Sequence, residues 1–273
     1  MKLAFTTLAC PDWPLEEIVR RASGWGYDGV DFRGLLDEVD VTRRPEFTTD
    51  LVHTKRLLAN HGLRVSCIST SARYAVLEPE ERQDQFDETV RNLDLAAALD
   101  APLLRVFAGE MQEGETVDSV FSLVVDGLRR MGEEAAERDV TLGVETHDDW
   151  TASALMARLM TEVDHPHVGV VWDLHHPYRM TGESPQETLG LLGPYVVNVH
   201  VKDSVPADGG YEYVLVGEGD VPLHEMLARL EEDGYDGYAT LEWEKRWHPE
   251  LAGPEVALPH YVQTMREWGV GAT

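Results

Sequence analysis

Residues 195–203 read YVVNVHVKD, and this stretch decides the fold. On a strand of period two, Asn198, His200 and Lys202 share one face, while Val197, Val199 and Val201 form the other. The valine face suits a covering layer of helices. The opposite face then presents an amide, an imidazole and an ammonium group from a single strand.

This run is one of eight. β-rich segments are expected at roughly 2–7, 28–33, 63–69, 102–107, 140–145, 168–173, 195–202 and 238–243. Between them lie amphipathic stretches such as PLEEIVRRASGWG, TDLVHTKRLLANHG, VDSVFSLVVDGLRRMGEEAAERD and PLHEMLARLEEDG. Several open with Pro or Thr and close with Gly or Asp, as helix ends do. Strict alternation over about 250 residues predicts a single α/β domain spanning 1–273, a closed parallel (β/α)8 TIM barrel. A doubly wound open sheet is the runner-up, weakened because no GxGxxG follows the first strand.

The 273 residues are 43% hydrophobic, ample for a large core, and no run approaches the roughly 20 apolar residues of a membrane span. Lys and Arg number 23 against 50 Asp and Glu, a formal charge of -27 that repels a phosphate backbone and argues against nucleic acid as partner. Much of that charge falls on solvated helical faces such as PEERQDQFDET and GEEAAERD. MKLAFTTLAC reads as the first strand rather than a leader. With only Cys10 and Cys67, no disulfide framework is indicated, and a cytoplasmic location is expected.

Four of the runs end in a hard metal ligand: Glu145 in LGVETH, Asp173 in VGVVWDLHH, His200 in YVVNVHVKD and Glu242 in YATLEWE. All four fall at C-terminal strand ends, where barrels of this kind place their chemistry. Three carboxylates and one imidazole suit one divalent ion, led by Mn²⁺, with Mg²⁺, Co²⁺ and Zn²⁺ as alternatives. A lone Glu or His at a strand end is more often a cap or surface residue. Four at matching ends would otherwise be four coincident buried polar groups.

The motifs GVETH, WDLHH, NVHVKD, VGEGDV and GYATLEWE resemble the sugar phosphate isomerase/epimerase superfamily, the xylose isomerase-like TIM barrels, over roughly residues 2–268. Its members include ketose 3-epimerases, hydroxypyruvate isomerase, inosose isomerases and dehydratases and, more distantly, endonuclease IV. The resemblance implies that Glu145, Asp173, His200 and Glu242 hold the metal. It implies that His176, three positions after Asp173, touches a substrate oxygen, with His175 the second candidate. It also implies a homo-oligomer, since related barrels often form dimers or tetramers.

Other residues have two readings each. His147 shares the Glu145 face and is either a substrate contact or a histidine satisfied within ETHDDW. Lys202 either stabilises an oxyanion or substrate carboxylate, or pairs with a ligand carboxylate. Arg105 places a cation in the barrel mouth, as a salt bridge to Asp31 or Glu145 or as a substrate contact. Asp31 and Arg33 share a face and can pair with each other. Trp13, Trp150, Trp243 and Trp247 fall in or near top loops, as ligand walls or as packing. GEGDVP is too short for a P-loop and lacks its Lys and Ser or Thr, so it reads as a turn before a helix near Pro222.

The expected activity is metal-dependent isomerisation or epimerisation of a small polyhydroxylated carbonyl compound. Glu145 and Glu242, on facing strands, would exchange the proton through an enediolate. A keto-inositol or dehydroshikimate type dehydratase is the alternative, expelling a β-hydroxyl from the same enolate. An endonuclease IV-like nuclease would need further histidines, but Ser69–Ser71, Ala108–Gly109 and the region of Asp203 supply none. A sugar-binding barrel without catalysis is the remaining reading. Ketose 3-epimerases place an Arg shortly after the strand-seven His, where this chain reads HVKDSVP. That departure favours another oxo-sugar, an inositol derivative or a hydroxy acid. The segments RGLLDEVDVTRRPEF and SVPADGGYEYVLVGEGD are long for an α/β unit and are expected to be lids or subunit contacts.

Overall fold

The computed structural model describes residues 1–271. Its strands are β1 (Lys2–Thr6), β2 (Gly29–Phe32), β3 (Arg64–Arg73), β4 (Leu103–Phe107), β5 (Thr141–Glu145), β6 (Val168–Asp173), β7 (Val196–Val201), β8 (Asp203–Ala207), β9 (Gly210–Val214) and β10 (Tyr238–Leu241). Eight of them close into a parallel barrel in the order β1, β10, β7, β6, β5, β4, β3, β2, so the expected (β/α)8 architecture is present. β8 and β9 form a separate two-stranded sheet.

The helices are α1 (Leu15–Trp25), α2 (Leu51–Asn60), α3 (Pro79–Ala98), α4 (Val117–Ala136), α5 (Ser153–Val163), α6 (Pro185–Leu192), α7 (Leu223–Glu232) and α8 (Pro254–Glu267). Their ends follow from sequence. The Thr116 side chain accepts from the Ser119 amide and starts α4, and Ser184 does the same with Glu187 for α6. Asp100, Asp139 and Asp164 follow α3, α4 and α5 in left-handed conformation, at φ of 56°, 55° and 43°. Asp tolerates that region better than larger residues do. No helix among the described residues is long and apolar enough to cross a membrane.

Contacts divide the chain into two units, Met1–Ser66 with the chain from Val199 onward, and Cys67–Asn198. Within Cys67–Asn198, β4, β5 and β6 pair in a register that aligns Phe107 with Glu145 and Glu145 with Val171. Leu103, Val171 and Cys67 are buried together. Gly143 packs against Leu103 and Val171, where a Cβ would meet Val171 Cγ2 at 2.6 Å and Leu103 Cδ1 at 3.0 Å. β3 runs four residues beyond the expected 63–69, with a register shift against β4 between Ser69 and Arg73. Thr70 fills the irregularity: its hydroxyl donates to the Arg105 carbonyl at 3.0 Å and accepts from the Ala72 amide at 3.1 Å.

In the other unit, β10 pairs with β1 and β7, aligning Thr240 with Ala4 and with His200. The long segment after β2 is anchored rather than loose. Leu35, Val41 and Phe47 are buried, and the Arg246 guanidinium donates to the carbonyls of Leu36 and Asp37. The segment after β7 becomes the β8–β9 hairpin, turning over Asp208 and Gly209.

One carboxylate fixes the base of that hairpin. Asp203 accepts from the backbone amides of Ser204 (2.9 Å), Gly217 (2.9 Å), Gly219 (3.0 Å) and Val221 (3.4 Å). The amides of the GEGD turn therefore point at a residue of the chain itself, as the turn reading requires and a phosphate cradle would not. Burial raises the Asp203 carboxyl above its ordinary value, against these amide donors, which lower it. Gly219 has no room for a Cβ, which would collide with the Asp203 carboxylate. Replacing Asp203 by Ala leaves several amides without their acceptor and is expected to cost about 1–3 kcal/mol. Denaturant unfolding should show that loss. Hydrogen exchange should show faster exchange at Gly217, Gly219 and Val221, and protection equal to wild type there would contradict the anchor.

Candidate metal centre

Glu145 ends β5 and Asp173 ends β6, at 1% and 0% exposure. The Thr146 hydroxyl accepts from the Asp173 amide at 3.0 Å, tying the two strand ends together. Asp173 Oδ1 accepts from the amides of His175 (2.8 Å) and His176 (3.2 Å), so the carboxylate caps the turn that follows it. Its Oδ2 lies 3.5 Å from His176 Nδ1, which contacts the Thr146 carbonyl at 2.8 Å. The buried His175 joins Asp173 and His176 in a compact group of ligand-type atoms.

Arg105 is 1% exposed, and its Nε lies 3.2 Å from Glu145 Oε2, one of the pairings expected for it. Nη1 donates to the Thr70 carbonyl at 2.9 Å, and the guanidinium stacks 4.0 Å over Phe107. The guanidinium is held on three sides. His147 contacts Asp148 through Nδ1 at 2.7 Å, as the ETHDDW reading allowed, and its ring packs edge-on to His176 at 5.0 Å. With its side chain 37% exposed, it is the accessible member of that pair.

His200, at the end of β7, is fully buried between two carboxylates. Asp31 Oδ2 is 3.6 Å from Nε2, and Glu242 Oε1 is 3.5 Å from Nδ1. Glu242, just beyond β10, turns its other oxygen to Lys202, whose Nζ donates to Oε2 at 2.6 Å. The same ammonium donates to Glu244 Oε1 at 2.7 Å, and the Tyr213 hydroxyl donates to that oxygen at 3.1 Å. Burial pushes the Tyr213 phenol well up, against the pull of Lys202, so it stays protonated and donating. Lys202 thus pairs with a candidate ligand carboxylate.

Glu145, Asp173, His200 and Glu242 each offer one ligand atom, and these four atoms all lie within 4.8 Å of one another. The donor set fits a divalent cation. Three buried carboxylates at that spacing repel one another strongly, and a 2+ charge among them offsets this. Oxygen ligands with one imidazole suit Mg²⁺, Mn²⁺ or Zn²⁺, and no thiolate competes.

Three of these four tryptophans pack. Trp150 is fully buried, donates Nε1 to the Gly109 carbonyl at 2.8 Å and stacks on Phe121. Trp243 donates Nε1 to the Ala252 carbonyl at 2.9 Å, and Trp13 meets Trp25 with Arg21 stacked 4.7 Å over it. Trp247 is half exposed. Sequence reasoning missed Asp31 beside His200, Glu244 beyond Lys202, and the four-amide role of Asp203. A period-two count does place Glu244 on the Glu242 face, which was the one available signal for it.

The chain is 22% identical over 258 residues to fructoselysine 3-epimerase of Shigella flexneri, covering 89% of this chain and 90% of that one. It is 23% identical over 245 residues to 3-dehydroshikimate dehydratase of Pseudomonas putida, covering 84% of this chain but only 36% of the dehydratase. The crystal structure of a xylose isomerase-like TIM barrel protein from Mycobacterium smegmatis in complex with magnesium superposes with a TM-score of 0.74 at 17% identity, over 98% of this chain and 95% of that one. The model of one family, described as xylose isomerase-like TIM barrel, matches residues 19–267, and the chain belongs to that family.

Proposed function

We propose that the chain is a divalent-metal-dependent isomerase or epimerase of a small sugar-like keto compound, with Glu145, Asp173, His200 and Glu242 holding one ion, Mn²⁺ first among the candidates. The convergence of their four ligand atoms within 4.8 Å carries this reading. When bound, such an ion supplies Lewis acidity at the substrate carbonyl, which favours loss of the neighbouring C–H proton. Glu145 and Glu242 stand at the ends of separate strands of the barrel, an arrangement suited to removing a proton from one side of a carbon and returning it on the other. Arg105 and Lys202 hold these carboxylates in place from beside them. Substrate hydroxyls are assigned to His176 and His147, whose rings stand 5.0 Å apart.

A dehydratase is the second reading, supported by the similarity to 3-dehydroshikimate dehydratase. The same proton removal would then be followed by loss of a β-hydroxyl. Screening ketoses, inososes and hydroxyketo acids in deuterated water separates the two. Solvent deuterium in recovered substrate or its epimer supports the first, and rising ultraviolet absorbance of a conjugated enone supports the second.

Chelation followed by dialysis should abolish turnover and lower the melting temperature, and Mn²⁺ should restore both. At a hundredfold excess over its dissociation constant, a ligand of the folded state alone adds about 2.7 kcal/mol. A melting temperature indifferent to chelator would count against the site. Glu145→Gln and Glu242→Gln should each reduce deuterium incorporation by roughly 10²-fold or more. Near-native turnover in Glu242→Gln with metal retained would remove Glu242 from the proton path.

A further inference from the structure

Glu242 does not present its two oxygens alike. Oε2 receives the Lys202 ammonium at 2.6 Å, while Oε1 lies 3.5 Å from the Nδ1 of His200, a neighbouring candidate ligand. The ammonium is itself fixed. Lys202 is 1% exposed and is held from the far side by Glu244 at 2.7 Å. Glu244 in turn receives the Tyr213 hydroxyl of β9 at 3.1 Å, and the Lys202 Nζ sits 5.8 Å over the Tyr213 ring. Three partners therefore fix the cation, and the cation fixes which carboxylate oxygen faces the ligand group.

We propose that Lys202 is a positioning residue that keeps Glu242 a one-oxygen ligand, reserving a place on the ion for the substrate. A carboxylate binds a divalent ion through one oxygen or through both. Two-oxygen binding by Glu242 would occupy a position that a chelating substrate needs. An ammonium at 2.6 Å from Oε2 competes directly with that mode, because oriented N–H donors and the ion seek the same lone pairs. Lys202 thereby acts on the substrate through Glu242. This inference rests on the metal reading proposed above.

A purely electrostatic role and a positioning role give different results. Removing the ammonium strengthens the attraction of the site for a cation in either case, so Lys202→Met should bind Mn²⁺ more tightly, on the order of tenfold. Only the positioning role predicts that the freed Oε2 joins the ion and displaces a water. Mn²⁺ titration read by water-proton relaxation measures both quantities in the full-length protein. The expected result is tighter binding with fewer exchangeable waters on Mn²⁺ in Lys202→Met, and wild-type values in Lys202→Arg. Tighter binding with an unchanged water count overturns the proposal. If Lys202→Met does not fold, Lys202→Gln, which leaves a polar group between the carboxylates, is read the same way. Asp173→Asn is measured alongside. Wild-type Mn²⁺ affinity in that variant refutes the metal reading itself, whereas loss of Mn²⁺ there with an unchanged water count in Lys202→Met refutes the role of Lys202 alone.

Discussion

The mutual repulsion of buried carboxylates is the constraint on which the rest of the site depends. Glu145, Asp173 and Glu242 bring ligand atoms within 4.8 Å, and Asp31 stands 3.6 Å from the imidazole of the fourth residue, His200. Ionised groups this close and this dry are tolerated only with compensating charge and oriented donors. The chain supplies part of that itself: Arg105 beside Glu145, Lys202 beside Glu242, and backbone amides at Asp173. Under the proposed function a divalent ion would supply the remainder. The supporting contacts of Glu145, Asp173 and Glu242 thus come from groups outside the candidate ligand set.

The barrel as scaffold explains why these contacts can be so short. Parallel strand pairing fixes the heights of neighbouring residues, as when Thr240 stands level with His200 and Phe107 with Glu145. Ligands just past a strand end inherit that precision, whereas ligands on free loops would have to be ordered at the cost of conformational entropy. Thr146 shows the same economy at small scale, since one residue binds the Asp173 amide through its hydroxyl and meets His176 through its carbonyl.

Most of this architecture is legible in the sequence. The valines at 197, 199 and 201 and the polar residues at 198, 200 and 202 separate cleanly by period, and the helix ends at Asp100, Asp139 and Asp164 adopt the left-handed turn that their position suggests. The four candidate ligands were readable because strand ends recur at matching places in the repeat. What periodicity does not carry is pairing across distance. The meeting of Lys202 with Glu244, 42 residues on, depends on strand neighbours that the local pattern does not name. The extra length of β3 depends on Thr70 bonding the backbone of β4, and the use of Asp203 depends on a turn 14 to 18 residues away. In each case a side chain completes hydrogen bonds that another segment leaves open.

The hairpin of β8 and β9 is held at its root, by Asp203, and on its flank, by Tyr213 against Glu244, while Asp208, Gly209 and Gly210 at its tip extend beyond both attachments. A structure pinned in this way divides labour along its length. Residues near the root are bound to the geometry of the ligands and have little freedom to vary. The tip is free to lengthen, shorten or change character without disturbing them, so a scaffold of this kind can vary a few residues there while the candidate ligand cluster keeps its geometry.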